Sequence, residues 1–196
     1  MKVSTFVISA QSYIFHMINK NYKYYYRIME PYEIKIGKKL ELLISDFRIL
    51  IESEYILDSF NSKVTFDDKN LSNTNNVPHN KKYQKVKLKI SVVDKRDLLN
   101  KLKRYDFTQS KEIIKVGRDS ELLDVCLKNE EVSNLHCTIS FDKSKGTWVI
   151  KDGNGSKLSS NGTWVLIQEY YEIPKDKYTY FRFENKVFMA YYENGI

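Results

Sequence analysis

The sequence predicts an all-β sandwich, and three observations carry that expectation. Fifteen Tyr and ten Phe stand among many Ile and Val, while alanine occurs only at Ala10 and Ala190, a composition that suits strands and argues against a helical bundle. Apolar runs are short and several alternate with polar residues, as half-buried strands do. Turn residues punctuate those runs at regular intervals, the pattern of a sandwich of short strands. At 196 residues and 42% apolar content, the chain is long enough for one domain with a real core, or for one domain and part of a second.

Taken in order, residues 13–18, 24–29 and 40–50 read as strands of a β-rich N-terminal segment, residues 1–60. Residues 61–84 contain LSNTNNVPHNKK with Pro78, the composition of a polar linker or long loop. The second part, residues 85–196, opens with Val86-Lys87-Leu88-Lys89-Ile90-Ser91-Val92, strictly alternating. Residues 95–104 suit one or two helical turns. Residues 111–116 are the next strand, ending at Gly117. Residues 137–141 and 147–150 form a hairpin around Asp142-Lys143-Ser144-Lys145-Gly146, and residues 163–167, 179–183 and 187–191 complete the set. The N-terminal segment echoes the second part in two incompatible ways. Glu33-Ile34-Lys35-Ile36-Gly37-Lys38 resembles Glu112-Ile113-Ile114-Lys115-Val116-Gly117-Arg118, and Tyr26-Arg27-Ile28 aligns with Tyr171-Glu172-Ile173. Chance explains such echoes in a Lys-, Ile- and Tyr-rich chain as well as duplication does.

The formal charge of +7 is spread over both parts, with 12 Lys/Arg against 9 Asp/Glu in residues 1–84 and 20 against 16 in residues 85–196. Such a balance suits an anionic partner in general but lacks the clustered basic face that nucleic-acid binding needs. The simpler reading is a solvated, Lys-rich surface. Cys126 and Cys137 make neither a disulfide framework nor a metal-ligand spacing, and they fit a reducing intracellular compartment, cytoplasmic or nuclear. No apolar run approaches the ~20 residues needed to span a bilayer. The start, from Met1 to Ala10, is too short and too weakly patterned for a signal peptide. There is no phosphate-loop signature, nucleophile elbow or zinc-hydrolase spacing, so no enzyme, metal or cofactor is expected.

Three motifs in the second part remain. They are Gly117-Arg118, then Val132-Ser133-Asn134-Leu135-His136, then Ser159-Ser160-Asn161-Gly162-Thr163-Trp164, with Trp148 and Asp152 between the second and third. Each alone is weak, but their order and spacing together resemble the forkhead-associated (FHA) family, over residues 85–196. The resemblance implies an FHA-type β-sandwich with an additional N-terminal β-rich segment. It also implies a loop end at which Arg118, Ser133, Asn134, Ser160 and Asn161 meet a phosphothreonine and its flanking backbone.

The chemistry of these residues agrees with that implication. A phosphate carries about −1.5 to −2 charges and three acceptor oxygens. Arg118 supplies charge-assisted hydrogen bonds, and Ser133, Asn134 and Ser160 are short polar groups on neighbouring loops. Asn161 offers both an amide N–H and a carbonyl to an extended peptide. Simpler readings stand beside these. Arg118 alone reads as a surface residue paired with Asp119 or Glu121. Ser133 and Asn134 read as turn residues, and Asn161-Gly162 as a hairpin dipeptide in which Gly162 supplies positive φ. In the family the histidine matching His136 braces the loops without touching phosphate. Cys137 beside it points to the other face of the strand, and Trp148, Trp164, Ile139 and Val149 read as core.

One departure from the family pattern is the stretch from Asp152 to Leu158, which puts extra residues ahead of Ser159. It is Gly-rich and expected to be mobile. The N-terminal segment has Gly37-Lys38 but no Ser-x-x-His after it, so it is expected to have no phosphate site; it is either a degenerate FHA-like half, or a set of strands that pack on the sandwich of the second part or form a partial β unit of their own. The reading of the whole is a phosphothreonine-dependent protein–protein interaction module in intracellular signalling, whose partner is a phosphothreonine-containing protein segment. The alternative is a scaffold of the same fold that does not use phosphate. Neither the oligomeric state nor the partner is written in the sequence.

Overall fold

The computed structural model describes residues 3–8, 14–16, 23–57, 84–99, 101–118, 121–168, 170–174 and 177–192, and every regular element among them is a strand. The N-terminal segment contributes β1 (Val3–Ile8), β2 (Ile14–His16), β3 (Tyr24–Arg27), β4 (Tyr32–Ile34), β5 (Lys39–Ile44) and β6 (Phe47–Leu57). Then come β7 (Gln84–Asp94), β8 (Leu102–Thr108), β9 (Ile113–Gly117), β10 (Val125–Cys126), β11 (Cys137–Asp142) and β12 (Thr147–Asp152). The last four are β13 (Trp164–Leu166), β14 (Tyr170–Glu172), β15 (Thr179–Phe183) and β16 (Lys186–Tyr192). The linker expected at 61–84 lies outside the described residues but for Gln84, which opens β7.

The strands form a nine-stranded sheet in the order β1-β16-β15-β3-β13-β5-β6-β7-β8, a five-stranded sheet in the order β10-β9-β11-β12-β4, and the pair β14-β2. The alternation that identifies β7 in the sequence continues into its neighbours. Val86, Leu88, Ile90 and Val92 point inward together with Ile49 and Ile51 of β6 and with Leu42 and Ile44 of β5. They meet Ile114, Val116, Ile139, Trp148 and Ile150 of the smaller sheet in one continuous core. Trp148 is fully buried and packs edge-on against Phe141. The architecture is thus an all-β sandwich, consistent with the FHA type.

Residues of the N-terminal segment are woven into both sheets. β4 pairs with β12, setting Ile34 opposite Trp148. β5 pairs with β13, and β6 pairs with β7 along its whole length. Two local expectations give way. The apolar run 40–50 is a hairpin rather than one strand, because Ser45, at a φ of 50°, turns the chain between Ile44 and Phe47. Among the described residues of 95–104 there is no helical turn; Asp94 and Asp97 side chains close turns at Arg96 and Leu99, and β8 starts at Leu102. Among the described residues no helix is long and apolar enough to cross a membrane.

Candidate functional site

Strand pairing brings the three motif loops to one end of the sandwich. β9 runs beside β11, and β11 beside β12, so the chain leaves β9 at Gly117 next to where it enters β11 after His136. The His136 N–H donates to Val116 O at 2.8 Å and the Arg118 N–H to Ser133 O at 3.1 Å. This approach is what Gly117 allows. A Cβ there would stand 2.1 Å from the Asn134 carbonyl oxygen, closer than any non-bonded contact permits.

Below the loops lies a buried polar scaffold. Asp152, at the end of β12, accepts from Ser159 Oγ and from Thr163 Oγ1, each at 2.6 Å, and from the Ser159 N–H at 3.3 Å. Ser159 Oγ accepts in turn from the Gly162 N–H at 3.1 Å. His136 is wholly buried. Its Nδ1 accepts the Ser133 N–H at 3.2 Å, so the ring proton sits on Nε2 and faces Gly162 O at 3.1 Å. One imidazole therefore ties the second motif loop to the third. Burial pushes its pKa below the ordinary value, against the pull of the Gly162 carbonyl and Asp152.

Arg27 of β3 completes the scaffold from the far end of the chain. Its Nη2 donates to Ser159 O at 2.6 Å and stands 3.5 Å from Asp152 Oδ2. Gly162 has a φ of 79°, and a Cβ there would fall 2.7 Å from Arg27 Nε. The backbone angle of Gly162 favours glycine, and the Arg27 guanidinium packs on it. No sequence motif marks Arg27, which lies 132 residues from Ser159. Ser159 and Asp152 were legible only as places in the motif pattern, without a role.

Above this scaffold stand the residues singled out in the sequence. The exposed Arg118 donates through Nη2 to Asn134 Oδ1 at 2.7 Å and through Nη1 to Glu130 O at 3.3 Å. It forms no ion pair among the described residues; Asp119 lies outside them. The half-buried Ser133 accepts the Ser160 N–H on its Oγ at 3.3 Å, which joins the second and third loops at the surface. Asn161 donates its side-chain amide to Glu131 O at 2.7 Å, and its own carbonyl accepts from Trp164 Nε1 at 2.8 Å. Arg118, Ser133, Asn134, Ser160 and Asn161 are therefore gathered by contacts among three loops.

The stretch from Asp152 to Leu158 is a closed turn rather than an open loop. Asn154 Oδ1 accepts from the Ser156 N–H, Ser156 Oγ and the Lys157 N–H at 2.9–3.1 Å. The Gly153 N–H anchors its base on His136 O at 2.7 Å. Trp148 and Ile139 are core residues of the sandwich, as expected. Trp164 is buried on the other face of the larger sheet with Tyr25, Leu43 and Val187. Cys126 and Cys137 are free thiols, and burial pushes Cys137 up to about 12. Among the described residues no cluster of His, Cys, Asp and Glu could hold a metal ion.

No curated protein and no solved structure matches the chain. Residues 114–177, which run from inside β9 past the third motif loop, match the family model of the FHA domain. FHA domains are, in general, phosphopeptide-recognition modules of protein–protein interaction. The ordered motifs and the two-sheet fold agree with this match, which makes residues 114–177 similar to the FHA domain.

Proposed function

We propose that the loop end formed by Arg118, Ser133, Asn134, Ser160 and Asn161 binds a phosphothreonine-containing segment of another protein, and that the chain acts as an intracellular signalling module without a cofactor. The observation that carries this reading is the state of Arg118. Its guanidinium is exposed, is aimed by Asn134 Oδ1 at 2.7 Å and by Glu130 O, and has no carboxylate among the described residues to neutralise it. A cation held this way suits a phosphate bearing about −1.5 to −2 charges.

The neighbouring groups supply the remaining bonds. Ser133 Oγ accepts from Ser160 N, so its own proton is left for an outside acceptor. Asn134 gives its Oδ1 to Arg118, leaving its N–H₂ for the phosphate or the peptide. Asn161 has its N–H₂ on Glu131 O, and its Oδ1 is the group offered to an N–H of the bound segment. Gly117, His136 and Gly162 hold this surface without touching the ligand. Preference for threonine over serine rests on the family resemblance, which implies a pocket for the γ-methyl group.

The test is a degenerate peptide library presented in phosphothreonine, phosphoserine and unphosphorylated forms, followed by calorimetric titration of the best sequences. Binding that requires the phosphate and favours threonine is the expected result. Equal capture of unphosphorylated peptides would replace this reading with a scaffold that does not use phosphate. Phosphate dependence without preference for threonine would keep the phosphate site and remove the methyl pocket.

A further inference from the structure

The hairpins β5–β6 and β15–β16 share more than their shape. Each turns at a two-residue corner whose first residue is not glycine yet has a positive φ, Ser45 at 50° and Glu184 at 51°. Each closes in the same register, with Ile44 opposite Phe47 and Phe183 opposite Lys186. The corresponding positions are 139 residues apart, as Ser45 and Glu184 are. At that one spacing Ile28, Glu30, Tyr32, Glu33, Ile34 and Lys38 recur as Ile167, Glu169, Tyr171, Glu172, Ile173 and Lys177. The same spacing sets β3 on β13. It is neither of the two registers that the sequence offers on inspection.

The pairing between the two regions obeys a twofold relation. β3 and β13 run antiparallel, with Tyr26 opposite Val165 at the centre and Arg27–Trp164 and Tyr25–Leu166 on either side. Tyr26 and Val165 are counterparts at the 139-residue spacing, so a pseudo-twofold axis passes between them. Ile28 N–H to Thr163 O at 2.9 Å and Ile167 N–H to Tyr24 O at 2.8 Å are one bond seen from its two sides. Farther out, Trp164 faces Leu43 and Val165 faces Leu42. Across the axis Tyr25 faces Arg182 and Tyr26 faces Phe181, residue for residue the same register. Contacts of i with j that return as j with i are the mark of an isologous interface between two copies of one unit. Chance would have to supply the sequence spacing, the hairpin register, the turn angles and the symmetric hydrogen bonds independently.

We propose that residues 24–51 and 163–190 are two copies of one strand-and-hairpin unit that have exchanged hairpins about this axis. β13, which continues the third motif loop, thereby receives the hairpin of the N-terminal copy and not its own. The surface concerned is the open side of β13 together with β7, and its occupant is β5–β6. Side-chain volume explains the choice. The N-terminal hairpin places Leu40, Phe47 and Ile51 in the core shared with the smaller sheet. The C-terminal one has Thr179, Lys186 and Ala190 at those positions and the bulkier Phe181, Phe183 and Phe188 where the core has Leu42, Ile44 and Ile49, so it would bring polar and small groups to some core positions and overpack others. Phe181 and Ala190 are buried instead in a separate cluster with Ile167 and Ile173.

Disulfide trapping in the full chain tests the exchange independently of any phosphate site. Facing residues in antiparallel strands lie about 4.5–5.5 Å apart at Cα, within the ~4.4–6.8 Å that a disulfide spans. Tyr25→Cys with Arg182→Cys should oxidise to a bridge within one molecule, assigned by mass spectrometry of its peptides, while Tyr25→Cys with Leu43→Cys should stay reduced. The reverse result would mean that each strand keeps its own hairpin and would overturn the proposal. So would the absence of both bridges, or a 25–182 bridge found only between molecules. Amide exchange gives a second reading. Leu42→Asp should remove protection from β11 and β12, whereas Phe181→Asp should leave it in place; loss in both variants, or the opposite order, counts against closure by the N-terminal copy.

Discussion

Beneath the motif loops, Asp152, Ser159, Thr163 and His136 are buried, and they bond to one another, to Gly162 or to Ser133 at 2.6–3.3 Å. Above them Arg118, Asn134 and Ser160 stand in solvent, joined by a few bonds between short side chains and backbone. The two tiers share the same loops and differ in what a lost group would cost. A buried polar group without its partners costs stability, because water cannot replace them. An exposed one costs little in the free protein and counts only when a ligand arrives. The lower tier is therefore where variants should unfold the domain, and the upper tier is where they should silence it.

The largest effect should come from Asp152→Ala. Its carboxylate serves two hydroxyls and one N–H and faces Arg27 at 3.5 Å. Removing it leaves that guanidinium, with 19% of its side chain exposed, without its counter-charge, a loss of about 3–5 kcal/mol for a fully buried pair and somewhat less here. A thermal melt should show a large drop, and peptide binding should fall only with the folded fraction. A melt close to wild type would erase the distinction between the tiers.

Gly117→Ala probes the boundary between them. The new methyl would have to displace the Asn134 backbone, since it would otherwise sit 2.1 Å from the carbonyl oxygen. Overpacking of this kind costs about 1–3 kcal/mol. Because the displaced segment also carries Ser133 and Asn134, stability and phosphopeptide affinity should fall together. An affinity loss measured on fully folded protein, beyond what the melt explains, is the outcome that supports this reading.

Arg118→Ala should divide the two properties most cleanly. Hydrogen bonds to charged groups contribute roughly 1.5–3 kcal/mol each, so losing one or two should weaken phosphothreonine peptide binding by about tenfold or more. Truncating an exposed side chain should change the melt by less than about 0.5 kcal/mol. Calorimetry beside a melt checks both. Wild-type affinity in this variant would remove the phosphate reading and favour the scaffold that does not use phosphate.

The upper tier was legible in the sequence because its residues lie in compact, ordered motifs: Gly117-Arg118, Ser133-Asn134 and Ser160-Asn161 each read as a local cluster. Much of the lower tier was not. Arg27 reaches Ser159 across 132 residues, and nothing in Tyr26-Arg27-Ile28 distinguishes it from an exposed strand arginine. The strands behaved alike. β7, β11 and β12 announce themselves by alternation or by the Asp142–Gly146 turn. β4, β10 and β14 are only two or three residues long, too short for any period to show. The Ser45 corner was missed because serine is not the residue expected at positive φ, so a hairpin read as one strand.

The smallest effect should be a pH dependence that belongs to the lower tier alone. Burial holds the His136 pKa below its ordinary 6.5, so between those two values the unfolded chain binds a proton that the folded protein refuses. Stability rises with pH wherever the unfolded state binds more protons. The contribution of His136 is therefore fully present above pH 6.5 and is lost as the pH falls through the lowered native value. Protonation would also place a second hydrogen on Nδ1, facing the Ser133 N–H it now accepts at 3.2 Å, and so would loosen the second motif loop from the third. Melts of the free protein at a series of pH values below 7 should show this decline. His136→Gln keeps a polar group in place but has no titrating ring, and it should be less stable at neutral pH with a flatter profile over the same interval. The melts must be done without peptide, since a phosphate titrates with a pKa near 6 and would impose its own decline on binding. A decline of the same size in His136→Gln would assign the acid sensitivity to other groups and leave the imidazole as a brace with no role in pH response.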